Sequence, residues 1–321
     1  MLIKELQNNN LNEYNKMANE YGSVFNKTEW LNVFSERLKL YGIFDKGTNL
    51  IGGFFIYKTQ KWFINLIITP PFTPNIGLFY KNESKNPSRF LSKEKEVVSL
   101  VADFFNNQKL NITSFNLPKN INDTQPFYWN NFKSIVQYTY IIDLKKSQED
   151  IYSTFSSQRK KSIRKAISEN IVVKKADDFS IIEDLALKTF SRQKIKIDTQ
   201  VLKRILYDFS SENNAFAFIC YDGRYPISCV YCVYDKKTAY YLLGGYDEQK
   251  KHHGAGPLAM WHAIQYSKKL EIEYFDFEGS MQPQIERYLR AFGGSLIPFY
   301  RINKASLFIE QVLKISKRSL F

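Results

Sequence analysis

The chain has 321 residues, 44% of them apolar and 24% charged, with a net charge of +13. That length suits two hydrophobic cores better than one, and the apolar content excludes a disordered chain. No apolar run reaches the ~20 residues of a membrane span, and the only cysteines, Cys220, Cys229 and Cys232, exclude a disulfide scaffold.

The first residues, Met1 to Asn8, hold no secretory apolar core, so a reducing, cytoplasmic setting is expected. Lys46-Gly47 reads as a turn before a strand over 50–57, and a second strand follows over 62–68. A proline-bounded loop, Thr69-Pro70-Pro71-Phe72-Thr73-Pro74-Asn75-Ile76-Gly77, comes next. Tyr128, Phe132 and Tyr140 then stand at the same spacings as Tyr288, Phe292 and Tyr300. The turn-and-strand block also recurs, as Asp222-Gly223 and a strand over 227–234. Two paired blocks in the same order indicate an internal duplication. The expected domains are 1–143 and 144–303, with a helical tail over 304–321.

Ser147-Gln148-Glu149-Asp150 opens the second half as a helix-starting box. Residues 158–175 carry seven lysines and arginines against Glu169 alone, which suits an anionic partner or a solvated face. Within it, Arg159, Arg164 and Lys165 fall on a helix whose like charges an anion would relieve. Helices are expected over 181–192 and 200–209, then a meander of strands over 216–221, 227–234 and 239–243. Cys229 and Cys232 sit at i and i+3 in a strand, so they face opposite sides and read as buried thiols rather than a metal pair. No metal is expected, because the histidines, His252, His253 and His262, form no ligand cluster of known spacing.

Lys251-His252-His253-Gly254-Ala255-Gly256 lies between a strand ending at Gly244 and a helix over 257–269. Glycines there leave backbone N–H groups open at the positive end of a helix, a setting that suits a pyrophosphate. A strand over 272–278 would place Asp276 and Glu278 on one face, as a base or an amine clamp, or as partners of Arg287, Arg290 or Arg301. Tyr288 is placed either to donate a proton or to pack on Phe292 one helical turn away. In the tail, Leu307, Phe308, Val312 and Ile315 share a helical spacing beside Lys314, Lys317 and Arg318. The helix would dock on its own domain or lie on the inner face of a membrane.

The 251–256 segment resembles the acyl-CoA loop of GNAT acyltransferases, with Lys251 in the Gln/Arg place. The whole chain resembles the FemAB group of double-GNAT proteins. Four blocks carry that likeness: residues 69–77, Arg159 to Ala166, Phe275-Asp276-Phe277-Glu278-Gly279-Ser280, and Tyr288 to Gly293. The resemblance implies an α/β chain of two tandem GNAT-like domains, each a mixed, mostly antiparallel sheet flanked by helices. It implies transfer of an acyl or aminoacyl group to an amine of a cell-envelope sugar or peptide precursor, with acyl-CoA or aminoacyl-tRNA as donor. Tyr288, Glu278 and Asp276 are then the proton-handling candidates. Gly244 and 251–256 would bind the donor, and Arg159, Arg164, Lys165 and Arg290 the substrates. Aminoacyl-transferring members tend to open the last block with Phe-Lys. Here the pair is Tyr288-Leu289, with Arg290 the first cation, which favours acyl-CoA. A silent module on nucleic acid or a membrane surface is the reading from another class.

Overall fold

The structure is a computed structural model that describes residues 1–7, 10–34, 37–46, 49–108, 110–279 and 281–316. Gly47, Ser280, Lys317 and Arg318 lie outside the described residues. The chain forms two compact units, Met1–Gln137 with Pro298–Phe321, and Tyr138–Ile297.

In chain order the first repeat holds β1 (Leu2–Glu5), α1 (Leu11–Tyr21), α2 (Thr28–Leu31), β2 (Leu38–Phe44), β3 (Leu50–Lys61), β4 (Ile64–Ile68) and β5 (Phe79–Tyr80). It continues with α3 (Pro87–Asn106), β6 (Ile112–Asn116), α4 (Gln125–Trp129) and β7 (Lys133–Asp143). The second begins with α5 (Gln148–Ser153), α6 (Ser157–Ser168), β8 (Val172–Lys175), α7 (Ser180–Arg192) and α8 (Thr199–Lys203). The meander β9 (Ala215–Asp222), β10 (Tyr225–Tyr234) and β11 (Thr238–Tyr246) follows, then α9 (Ala255–Lys269), β12 (Tyr274–Asp276), α10 (Pro283–Arg290), β13 (Ser295–Ala305) and α11 (Leu307–Ser316).

Each repeat is thus a meander, a crossover helix, a parallel strand, a short proline-started helix and a long strand. In the first, α3 carries the chain from β4 to a parallel β6, pairing Leu66 with Ile112. In the second, α9 joins β11 to a parallel β12, pairing Thr238 with Tyr274. All other ladders are antiparallel among the described residues. The expected mixed, mostly antiparallel sheets with flanking helices are present in both units.

The last strands are exchanged. β13 closes the repeat that builds the second unit, yet its residues Arg301–Ala305 pair with Asn116–Ile112 of β6 in the first. β7 closes the first repeat, yet its residues Ile141–Asp143 pair with Asp276–Tyr274 of β12 in the second.

Local sequence accounts for the elements that matter to the site. Pro87 begins α3 and Asn86 caps it, its side chain accepting from Arg89 N at 3.1 Å. Val97, Val98, Val101, Ala102 and Phe105 then bury one face of that helix against Phe54, Ile67 and Phe115. At α5 the Ser147 hydroxyl accepts from Asp150 N at 3.0 Å and donates to the Asp150 carboxylate at 2.8 Å. Ser156 caps α6 through Arg159 N. The second core gathers Phe155, Ile163, Val230, Ala259, Met260, Phe275, Phe277 and Phe292. β8 was not anticipated, because its exposed Val-Val-Lys-Lys has no period-2 pattern. The helix expected over 200–209 is α-helical only to Lys203 and continues as a π-helical turn over Arg204–Phe209.

Strand exchange has a measurable consequence. Ile302 on β13 is fully buried in the first core, so Ile302→Ala should cost about 2–5 kcal/mol in urea unfolding. Amide exchange should quicken in β6 and α3 while β9 and β10 keep their protection. Faster exchange in β9 and β10 alone would contradict the pairing.

Candidate active site

The site begins where two parallel strands part. β11 and β12 pair only at Thr238–Tyr274, Ala239–Phe275 and Tyr240–Asp276. Just beyond, Tyr231 of β10 faces Leu243 while Cys232 faces Tyr241, so Leu242 is the extra residue of a bulge. A bulge bends its strand and sharpens its twist. β11 therefore runs on from Tyr241 to Tyr246 past the end of its ladder with β12.

The chain then turns into α9. Gly254 is buried against α6, and a Cβ on it would collide with the Ser162 carbonyl and lie 2.9 Å from Ala166 Cβ. The bare Cα lets the turn press onto the basic helix. His252 fixes the same turn from the side. Its Nδ1 accepts from Gly254 N at 3.1 Å, so Nε2 carries the proton and lies 2.6 Å from Glu169 Oε2. The His252 hydrogen bond is the main cause that holds the Glu169 carboxyl below its ordinary range.

The helix start is less open than the glycine pattern suggests. Gly254 N–H goes to His252 Nδ1, and Ala255 N–H to His252 O at 3.2 Å. Pro257 has no N–H to offer. Leu258 N already bonds Gly254 O. Gly256 N–H is left without a partner among the described residues. A Cβ on Gly256 would lie 3.4 Å from Tyr288 Oη and 3.5 Å from Ser228 Oγ. Two hydroxyls thus lie over the bare Cα of Gly256 at the positive end of α9. Gly244, upstream on β11, is covered by the Tyr241 hydroxyl, which leaves no room for a side chain there.

Tyr288 is held by Arg159. The Arg159 guanidinium lies 4.3 Å from the Tyr288 ring centre and 4.4 Å from that of Phe292, and Nη2 donates to Tyr288 O at 2.8 Å. Tyr288 also meets Phe292 edge-on, with centroids 5.5 Å apart. The packing of Tyr288 on Phe292 is present, and its hydroxyl lies over Gly256. Burial pushes the Tyr288 phenol up to about 12, with Arg159 pulling against it. Arg159 Nε is buried and has no hydrogen-bond partner.

The structure separates residues that the sequence grouped. Arg159 turns inward, whereas Arg164 and Lys165 are exposed. Lys165 lies 3.6 Å from Glu169. Arg290 is exposed and pairs with Glu286 at 2.8 Å. Lys251 and His253 are exposed, and His262 packs on Phe218 within α9. The expected strand over 272–278 is corrected. β12 ends at Asp276, where its ladders with β11 and β7 both stop. Phe275 and Phe277 are both core residues, and Glu278 has a left-handed backbone at φ 57°. Asp276 and Glu278 therefore share no strand face. Asp276 is buried, its Oδ1 accepting from Thr139 Oγ1 at 2.6 Å and from Glu278 N at 2.9 Å. Nor does Gly279 leave room for a ligand, because a Cβ on it would meet the Tyr138 carbonyl of β7.

Two open pockets flank the loop. One, of about 720 Å³, is lined by Arg224, Tyr225, Lys250, Lys251 and His252. The other, of about 510 Å³, lies on α6 beside Ser157, Gln158, Lys161, Ser162 and Lys165. The first lining sets Arg224, Lys250 and Lys251 against one carboxylate, Asp222, and the second holds Lys161 and Lys165 with none, so cations outnumber acids in both, as the phosphates of an anionic donor require. Among the described residues no cluster of three or more His, Cys, Asp or Glu could hold a metal. The three thiols are buried, and desolvation raises the pKa of each, to about 12 for Cys220 and Cys229. Ser228, Tyr241 and Glu169 join the site without having been singled out. The signal for Ser228 was available: it is the one serine in a strand otherwise made of Tyr, Pro, Ile, Cys and Val.

Residues 157–288 match the family described as Acetyltransferase (GNAT) domain. Solved structures extend the likeness over the chain. FemX aligns with a TM-score of 0.66 at 12% identity, covering 99% of this chain and 100% of its own. L-PGS from Bacillus licheniformis aligns at 0.55 and 10% identity, covering 99% and 98%. A tandem GNAT protein from the clavulanic acid biosynthesis pathway aligns at 0.53 and 8%, covering 94% and 98%. No curated protein matches the sequence.

Gly254→Ala should lower stability by about 1–3 kcal/mol, because the added methyl must displace the α6 backbone. Urea unfolding would measure it, and an unchanged midpoint would remove the close contact from the account.

Proposed function

From the GNAT acyltransferase domain that this chain carries, within a FemAB-like tandem fold, we propose an N-acyltransferase that moves an acyl group from acyl-CoA to an amine of a cell-envelope sugar or peptide precursor. The observation that carries this reading is the approach of Tyr288 Oη and Ser228 Oγ to the bare Cα of Gly256 at the start of α9, in the repeat whose parallel strands part. The cations at Arg224, Lys250 and Lys251, which line the pocket beside the loop, take the donor's phosphates. The backbone of β11 beyond Tyr240 takes the thioester carbonyl, whose oxygen gains charge as the amine adds. A C–N bond forms and the C–S bond breaks. Tyr288 Oη gives its proton to the leaving sulfur. Glu278, which Asp276 positions through its backbone N–H, takes the proton lost by the amine. Arg159 fixes the angle of the Tyr288 ring.

A second reading has aminoacyl-tRNA as the donor. The exposed cations Lys161, Arg164 and Lys165 on α6 favour it. Thermal-shift titration separates the two. Acetyl-CoA should raise the melting midpoint, desulfo-CoA should do so nearly as well, and the shift should persist in added salt. A shift with tRNA alone, abolished when Arg164 and Lys165 are both changed to Gln, would replace the acyl-CoA reading.

Tyr288→Phe should lower kcat by about 10²–10⁴-fold while the CoA-induced thermal shift is kept. Unchanged turnover would remove Tyr288 from the proton path. The pH dependence follows from the raised phenol. Its neutral form is favoured by folding, so this contribution to stability is complete below the ordinary tyrosine pKa of 10.0 and is lost as pH climbs towards about 12. Turnover should therefore show no alkaline fall from Tyr288 below pH ~10.

A further inference from the structure

One end of the first unit's sheet is unlike the rest of its surface. The two-residue turn between β3 and β4 is Trp62-Phe63, and these side chains are 84% and 92% exposed. Trp62 has a φ of 59°, in the left-handed region where glycine or asparagine is at ease. Nothing in the packing repays an indole there, since both rings point away from the core.

The strand register brings further apolar groups to the same end. Thr59 pairs with Leu66, Leu66 with Ile112, and Ile112 with Ala305. The β3–β4 turn and the start of α11 therefore extend past the same edge, about 10 Å apart across two strand spacings. α11 is tied down on one side by Glu310, which pairs with Lys133 at 2.8 Å and Lys314 at 3.3 Å. Its Leu307, Phe308 and Ile315 remain exposed. Beside the turn, Arg37 and Lys58 line an open pocket of about 480 Å³ with Thr59, Gln60 and Asn65, and no carboxylate enters it. Lys61 is exposed at the turn itself.

We propose that this end of the first unit docks on an anionic lipid bilayer. Trp62 and Phe63 enter the headgroup layer, Leu307 and Phe308 rest beside them, and Arg37, Lys58 and Lys61 face lipid phosphates. The pairing of exposed aromatics with a pocket that holds two cations and, among the described residues, no carboxylate selects this occupant. Aromatic rings settle at the interface, and each nearby cation adds attraction to an anionic surface. A second copy of the chain would bring the same cations against each other. The surface is independent of the donor assignment, because its binding needs neither donor nor acceptor.

The test is co-sedimentation of the full chain with phosphatidylcholine vesicles, with and without roughly one-third phosphatidylglycerol. The wild type should pellet with the anionic vesicles and much less with the neutral ones. Changing Trp62 and Phe63 together to Ser should lower partitioning by at least about tenfold, with the melting midpoint unchanged. Arg37→Gln with Lys58→Gln should weaken binding to the anionic vesicles only. Trp62→Phe, which keeps an aromatic ring, should still bind but lose the tryptophan emission quenched by brominated lipid. Failure of the wild type to bind, or equal partitioning of the Ser variant, overturns the proposal. So does light scattering that finds a dimer which the Ser variant turns into a monomer, because the turn would then belong to a second copy.

Discussion

The contact on which the candidate site depends is the bare Cα of Gly254 against the Ser162 carbonyl. It sets the depth at which the β11–α9 turn meets α6. His252 can then reach Glu169 just past the C-terminus of the same helix, while Arg159 near its N-terminus reaches under Tyr288. α6 is thereby a splint with one polar tie at each end. The loop and the tyrosine come together because both are fastened to it, although they are more than thirty residues apart in sequence.

The mixed burial of α6 follows from that role. Ile163 and Ala166 enter the core, Arg159 is half-buried between two rings, and Lys161, Arg164 and Lys165 stay in water. A guanidinium suits the inner position because it is planar and weakly hydrated, so it stacks where an ammonium would demand water. The exposed cations leave the outer face positive, and the same helix serves both the packing of the site and the field around it.

Much of this could be read in the sequence, and the omissions have physical causes. The glycine loop, the helix after it and the meander before it all rest on local signals, namely turn residues and hydrophobic period. The duplication was visible because both repeats keep the Tyr-to-Phe spacing. Glu278 was misplaced because Phe275, Phe277 and the acids alternate like a strand, while the actual strand stops where its neighbours stop pairing. That is a tertiary fact which no run of seven residues contains. Arg159 looked like its exposed neighbours because composition cannot say which cation of a basic helix turns inward. Gly254 N–H looked open because its acceptor is the side chain two residues upstream, a local bond that only the backbone path decides. Trp62-Phe63 read as the start of a strand, since no turn-forming residue marks the bend.

The exchanged final strands bear on how the chain is made. While residues are still being added at the ribosome, β6 has its neighbour β4 on one side and an open edge on the other. The strand that covers that edge, Arg301–Ala305, is synthesised after the whole of the second unit. The first core therefore cannot finish folding as it emerges, although nearly all of its residues are already out. Its closure is a late, long-range event, of the kind that slows folding and leaves an unpaired edge exposed to other chains. Until Arg301–Ala305 has left the ribosome, the nascent chain carries that open edge, which is the kind of surface that chaperones shield.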